Sequence, residues 1–175
     1  MVQTLLRVRQ MPVDISKLRE GEAITGKWKL EFSTEERYKL LPPTTDVYNY
    51  IYDDKDGGRL DNVIRFYKSW VLKSVRAVTK YTMDRKGRIV FEFDRIEADL
   101  CGLKVPLPKF SQDAGFVEVQ YFDGDLWIEV FEGSQASDSG QMAAEVNIYR
   151  RVGDATDADK TRIPERTGGI GQAQR

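Results

Sequence analysis

The sequence predicts an all-β protein, an antiparallel β-barrel of about eight strands, and three observations predict it. Apolar and polar residues alternate in segment after segment, and turn-rich stretches separate those segments. Nothing between them has the length or the period of a helix. Each segment is apolar on one face only, so the sheet must close or double over to hide that face, as a barrel or a sandwich does.

The first such segment is Ile24 to Ser33, ITGKWKLEFS. Ile24, Gly26, Trp28, Leu30 and Phe32 share one face, and Lys27, Lys29 and Glu31 take the other, which is the period of a half-buried strand. Val47 to Tyr52 follows, then a turn in which Asp56-Gly57-Gly58 supplies positive φ angles. Leu60 to Tyr67 resumes the extended pattern. Trp70 to Thr82 alternates less cleanly but is rich in β-branched and aromatic residues. Asp84 to Gly87 reads as a turn before Arg88 to Asp94, where Ile89, Phe91 and Phe93 share a face. Phe116 to Phe122 and Leu126 to Phe131 are joined by Asp123-Gly124-Asp125, the sharpest hairpin signal in the chain. Met142 to Arg151 is the last strand.

Three regions result: an N-terminal segment 1–23, the barrel 24–152 and a polar tail 153–175. Asp14 to Glu20 has the makings of a short helix, with Asp14 as N-cap. The tail, with Ile163 and Ile170 as isolated apolar positions, is expected to be flexible or to dock. Residues Met1 to Arg9 lack the apolar run and cleavage site of a secretory signal. No apolar run reaches the roughly 18 to 20 residues that span a bilayer.

Composition narrows the chemistry. Histidine is absent and Cys101 is the single cysteine, which removes histidine-based triads, thiolate–histidine pairs and the usual zinc sites. The chain is therefore expected to be no enzyme, with no catalytic residue, metal or cofactor. Cys101 is expected to be a small buried hydrophobe in a reducing compartment. A net charge of −1 gives no general attraction to nucleic acid.

Charge is uneven, however. Arg65 to Arg88 holds eight basic residues against one acid, Asp84, and Ser111 to Glu145 holds eight acidic residues and no Lys or Arg. Either oppositely charged strands neighbour each other, or the barrel is dipolar and turns its basic side to anionic headgroups or an acidic partner. Three other patterns carry no chemistry. Asp53 to Gly58 fits a calcium loop in no frame, Gly168 to Gly171 follows no strand, and a turn accounts for Asp123 and Asp125.

Gly26-Lys27-Trp28 in the first strand resembles the Gly-x-Trp pattern of lipocalin-type barrels. The resemblance implies a tryptophan plug at the closed end with an arginine of the last strand across it, here Trp28 with Arg150 or Arg151. Read as a whole, the chain is similar to the plastid lipid-associated proteins, or fibrillins. ITGKWKLEFS, LDNVIRF, LKVPLP and GFVEVQYFDGDLWIEVFEG resemble that family's successive blocks over Ile24 to Arg151. The matching positions are Gly26, Trp28, Asn62, Val63, Pro106, Leu107, Pro108, Gly115, Tyr121, Asp123, Asp125, Leu126 and Ile128. The family's N-terminal helical region is much shortened here, and the final strand differs in detail.

The resemblance implies a lipocalin-like barrel in plastids or cyanobacteria, peripheral to thylakoids or plastoglobules, that binds or carries a prenylquinone, carotenoid or acyl lipid. By alternation, Leu30, Phe32, Ile64, Phe66, Phe91, Phe93 and Tyr121 are candidates for the barrel lining. They either surround a ligand or fill the interior, since about eight strands leave room for one or the other. Two alternatives stand beside this: a structural subunit docked on a photosynthetic membrane complex, and a bilin lyase or chaperone built on a similar barrel.

Overall fold

The computed structural model describes residues 24–53, 58–84, 88–108, 114–136 and 142–161. It contains nine strands and two short helices. In chain order these are β1 (Gly26–Ser33), α1 (Glu36–Lys39), β2 (Thr45–Tyr52), β3 (Gly58–Phe66), β4 (Leu72–Met83) and β5 (Arg88–Leu100). After them come β6 (Leu103–Leu107), β7 (Ala114–Phe122), β8 (Leu126–Ala136), β9 (Met142–Gly153) and α2 (Asp157–Thr161).

The strands form one antiparallel sheet whose ends meet. Its order is β4-β3-β2-β1-β9-β8-β7-β5-β6, and β4 also pairs with β5 along eleven residue pairs. Eight strands therefore form a closed ring, and β6 lies outside it, paired to the second half of β5. Closure removes the free strand edges that a flat sheet would expose.

The ring has two distinct ends. At one end side chains from all eight ring strands meet in a single cluster around Trp28, Ile51, Leu60, Tyr81, Ile89, Val119, Phe122, Trp127 and Tyr149. Ile24 covers this end, and the Trp28 indole Nε1 donates to its carbonyl at 2.9 Å. Two cross-strand glycines make room for rings. A Cβ on Gly58 would lie 2.2 Å from Tyr81, and one on Gly115 would lie 2.7 Å from Phe91. The opposite end carries α1, the β3–β4 turn and the β5–β6 turn. There the inner-face residues Ile64, Phe66, Leu72, Val75 and Leu100 are only half-buried.

Bulges decide which residues face inward. Directly opposed residues of an antiparallel pair share a face. Leu30 pairs with Tyr149, but the next pair is Phe32 with Ile148, so one extra residue sits in β1. Val119 pairs with Glu129, and the next pair is Tyr121 with Ile128, so β7 also carries an extra residue. Each bulge turns the strand by one position. Phe32 and Tyr121, expected in the lining, therefore stand on the outer face with Ile148 and Ile128. Leu30, Ile64, Phe66, Phe91 and Phe93 stand on the inner face, where Phe91 and Phe93 pack edge to face at 5.6 Å.

Several expectations need correction. Leu103 to Leu107, a Leu-Pro segment in sequence, is a strand, because β5 continues to Leu100 and turns back through Cys101 and Gly102. Cys101 is exposed, at a φ of 54° in that turn, with its thiol directed at the Trp70 carbonyl at 3.3 Å. The first part of the tail is ordered as α2. The helix expected at Asp14 to Glu20 lies outside the described residues. The basic and acidic runs are centred on strands that are not neighbours, the first on β4 and the second on β7 and β8, two and three places away around the ring, and they meet only where Arg88 pairs with Glu118.

Outside the ring, α2 folds back over β2 to β4. It covers a second cluster of Tyr50, Tyr52 and Val63, against which Ala155 packs. Beneath it lies a buried ion group. Arg59 Nε and Nη2 each donate to Asp61 at 2.7 Å, and Arg76 Nη1 donates to Asp61 at 3.1 Å and to the Lys160 carbonyl at 2.9 Å.

Candidate functional site

The interior is layered. At the covered end, Trp28 packs against Phe122 at 5.6 Å and edge-on to Trp127 at 5.8 Å. The Arg151 guanidinium lies over the Trp28 ring at 5.9 Å, and the two residues are register partners. Gly26 belongs to the same clamp. Its φ is 140°, and a Cβ there would come within 3.2 Å of Arg151 Nε and 3.0 Å of the Gly153 carbonyl. Arg150 alternates to the outer face, exposed, with Glu31 at 3.9 Å as its ionic neighbour. The arginine over the tryptophan is thus Arg151.

Above this apolar floor runs a belt of buried polar groups from five elements. Asn147 on β9 donates from Nδ2 to Glu35 at 2.7 Å and to Glu129 at 3.0 Å. Arg37 on α1 forms an ion pair with Glu35. The Tyr149 hydroxyl is hydrogen-bonded to both Glu129 and Asn49. Asn49 in turn accepts from Asn62 Nδ2 at 2.9 Å, and Asn62 bonds Tyr38 on α1. The short helix after β1 thereby brings a tyrosine to the belt, and the exposed Arg37 ties the buried Glu35 from outside.

Electrostatics follow from this burial. Glu129 is taken out of water and faces the Glu35 carboxylate, so its pKa is pushed up to about 7 despite hydrogen bonds from Asn147 and Tyr149. Burial and the same two carboxylates raise Tyr149 well above 10. Two buried polar atoms of the belt and floor have no protein partner: Asn147 Oδ1 and Trp127 Nε1. An unpartnered buried donor or acceptor is costly, and a polar ligand atom or a water at this level would satisfy either.

The sequence reading missed this belt. A signal existed for part of it: Glu129 sits two residues from the inward Trp127, and Asn147 two residues from the inward Tyr149. Glu35 gave none, since it follows a strand end where an exposed loop acid is ordinary.

Above the belt the inner face becomes apolar again. Ile64, Phe66, Leu72, Val75, Ile96, Ala98 and Leu100 line it, and β6 extends the same wall. Leu107, Val105 and Leu103 pair with Ile96, Ala98 and Leu100 and present a continuous apolar row. All five residues of β6 are exposed. A separate small cavity of about 10 Å³, with room for roughly one water, lies on the outer face between Ser74, Arg76, Glu97 and Lys104. Among the described residues no group of three or more Cys, Asp or Glu is placed to hold a metal ion. No family model and no curated protein matches the chain.

Proposed function

We propose that this chain is a lipocalin-like barrel of the plastid lipid-associated kind. It binds or carries an apolar molecule, such as a prenylquinone, a carotenoid or an acyl lipid, and catalyses no reaction. Its setting would be the thylakoid or plastoglobule surface, or the cyanobacterial equivalent. The observation that carries the reading is the polarity of the closed ring. One end is plugged by Trp28, Trp127 and Phe122 under Arg151, while at the other end the inner-face Ile64, Phe66, Leu72, Val75 and Leu100 are partly exposed and the wall runs on past the buried Ile96 and Ala98 into the exposed β6. An apolar surface left facing water on the inside of a closed sheet favours an apolar occupant.

The test is recovery and uptake. Organic extraction of the natively purified protein, read by mass spectrometry, should release an apolar compound. The emptied protein should take up a soluble prenylquinone with quenching of tryptophan emission. Ile64→Glu with Val75→Glu, which places charge on the inner wall, should abolish uptake. An extract containing solvent alone, together with no uptake by the unsubstituted protein, would end this reading.

A second reading, a filled scaffold docked on a membrane complex, is favoured by one observation. The outer edge of β6 pairs with no described strand, and a free edge accepts a strand from a partner. Co-purification with a membrane complex, lost on Val105→Pro, would support it.

A further inference from the structure

We propose that the half-exposed end of the ring is a membrane-docking surface, formed by three turns that place apolar side chains into an anionic lipid headgroup layer. The proposal rests on the apolar-carrier reading for its purpose, and on separate observations for its location. Among the described residues, the three most exposed large apolar ones are Leu40 at 83%, Trp70 at 79% and Leu103 at 72%. They belong to three different connections: the stretch after α1, the β3–β4 turn and the start of β6. Strand directions bring all three connections to the same end of the ring, the end opposite the Trp28 plug.

The two turns bearing Trp70 and Leu103 are also in contact. Cys101 N–H donates to the Val71 carbonyl at 2.8 Å, and Leu72 pairs with Leu100. Val71 is itself 41% exposed. The turn is held in shape from within, since Ser69 Oγ accepts from Leu72 N–H at 3.0 Å. Trp70 is therefore presented to solvent by a fixed turn.

Charge identifies the partner as lipid. Each apolar tip is flanked by lysine: Lys39 beside Leu40, Lys68 and Lys73 around Trp70, and Lys104 beside Leu103. Lys68 and Lys73 are exposed, and Lys73 Nζ contacts a carbonyl, that of Ser69, at 3.2 Å. Acids lie within reach of two of these lysines, Glu97 of Lys104 at 3.4 Å and Glu36 of Lys39 at 2.5 Å. An exposed tryptophan with short apolar neighbours and surrounding lysines suits the interface of an anionic bilayer, where the indole sits at headgroup level and each lysine adds to the attraction. Docking in this orientation would set the apolar wall of β5 and β6 against the membrane from which a ligand could enter.

Trp70 provides its own probe, because the other two tryptophans, Trp28 and Trp127, are fully buried. Adding vesicles of phosphatidylglycerol and phosphatidylcholine should shift the emission to the blue and shield it from acrylamide. Pure phosphatidylcholine vesicles should do so far less. In flotation, Trp70→Ser with Leu40→Ser should leave the protein in the soluble fraction. Lys68→Glu with Lys73→Glu should weaken binding by about tenfold or more, and raised salt should act in the same direction. These exposed substitutions leave the interior untouched, so prenylquinone uptake in solution should persist in both variants. Unchanged flotation in both variants, or no association with any vesicle by the unsubstituted protein, would overturn the docking surface while leaving the carrier reading to its own test. Capture by a protein partner in place of vesicles would overturn it as well.

Discussion

Gly26 carries two constraints at once. At φ 140° its backbone suits glycine, and the space a side chain would need is occupied by the Arg151 guanidinium and the Gly153 carbonyl. Gly26→Ala should therefore destabilise the protein by roughly 1–3 kcal/mol, and Gly26→Val by more, as the urea midpoint would show. A substitution tolerated without change would mean that the Trp28–Arg151 clamp is not fixed in solution. Glu129 poses a different question, that of pH. Its pKa is raised from 4.5 to about 7 in the folded chain by burial and by the Glu35 carboxylate. The folded state then binds more protons than the unfolded one between those values, so this residue makes stability fall as pH rises from about 4.5 to about 7. Above that range the full penalty remains, on the order of 3 kcal/mol. Glu129→Gln keeps the acceptor for Asn147 and removes the titration. The variant should match the unsubstituted protein near pH 4.5 and exceed it in stability at pH 8. Equal urea midpoints at both pH values would show that Glu129 does not hold its proton as the belt requires.

At the scale of elements, α2 is the clearest case of structure held by a few side chains. Thr156 and Asp159 form a capping pair: Asp159 Oδ2 accepts from Thr156 N–H at 2.8 Å and from its hydroxyl at 2.7 Å, and Oδ1 meets Lys27 Nζ on β1 at 3.0 Å. Burial of Asp159 works against its ionisation, but these contacts outweigh it and keep the carboxyl below the usual range. Asp159→Ala should cost about 1–2 kcal/mol and raise amide exchange across Asp157 to Thr161. Loss of exchange protection there without any change in global stability would show a helix that closes over the outer face without supporting it. The strands themselves were legible wherever alternation ran unbroken, as from Gly26 to Leu30 and from Arg88 to Phe93. Legibility stopped at the bulges. Nothing in KLEFS or VQYF marks an inserted residue, because a bulge is set by the register of two strands distant in sequence. That is why Phe32 and Tyr121 were placed on the wrong face. The β6 strand was missed because Pro106 interrupts a run of only five residues, and a proline fits at an edge but not inside a sheet. Of the interior, the apolar floor could be read from Gly26, Trp28 and the arginines ending β9. The polar belt could not, since Glu35 and Tyr38 enter the ring only after α1 folds over its end.

For the molecule as a whole, closure of the ring should govern cooperativity. Every ring strand is hydrogen-bonded on both edges, and the pairing of β1 with β9, without which the circle would be open, joins the first ring strand to the last. Such a sheet cannot lose one strand without opening an edge along its whole length, so the ring is expected to open as one unit. Long-range pairing of this kind also makes for slow folding, in the millisecond-to-second range. β6 is the exception, because it is bonded on one edge and exposed at all five residues. Hydrogen exchange read by mass spectrometry should then divide the chain in two. Amides of β1, β2, β4, β8 and β9 within the ring should exchange only through global unfolding, with a shared dependence on denaturant. Those of Leu103 to Leu107 that bond β5 should exchange through local opening, several kcal/mol below the global value. An occupant lying along the apolar wall would change this order, since contact with Leu103, Val105 and Leu107 stabilises the closed form of β6 by mass action. Protection of β6 should therefore rise selectively when an apolar ligand or an anionic vesicle is added. Ring amides that exchange strand by strand, or a β6 as protected as β1 in the empty protein, would show that the circle of hydrogen bonds is not the cooperative unit.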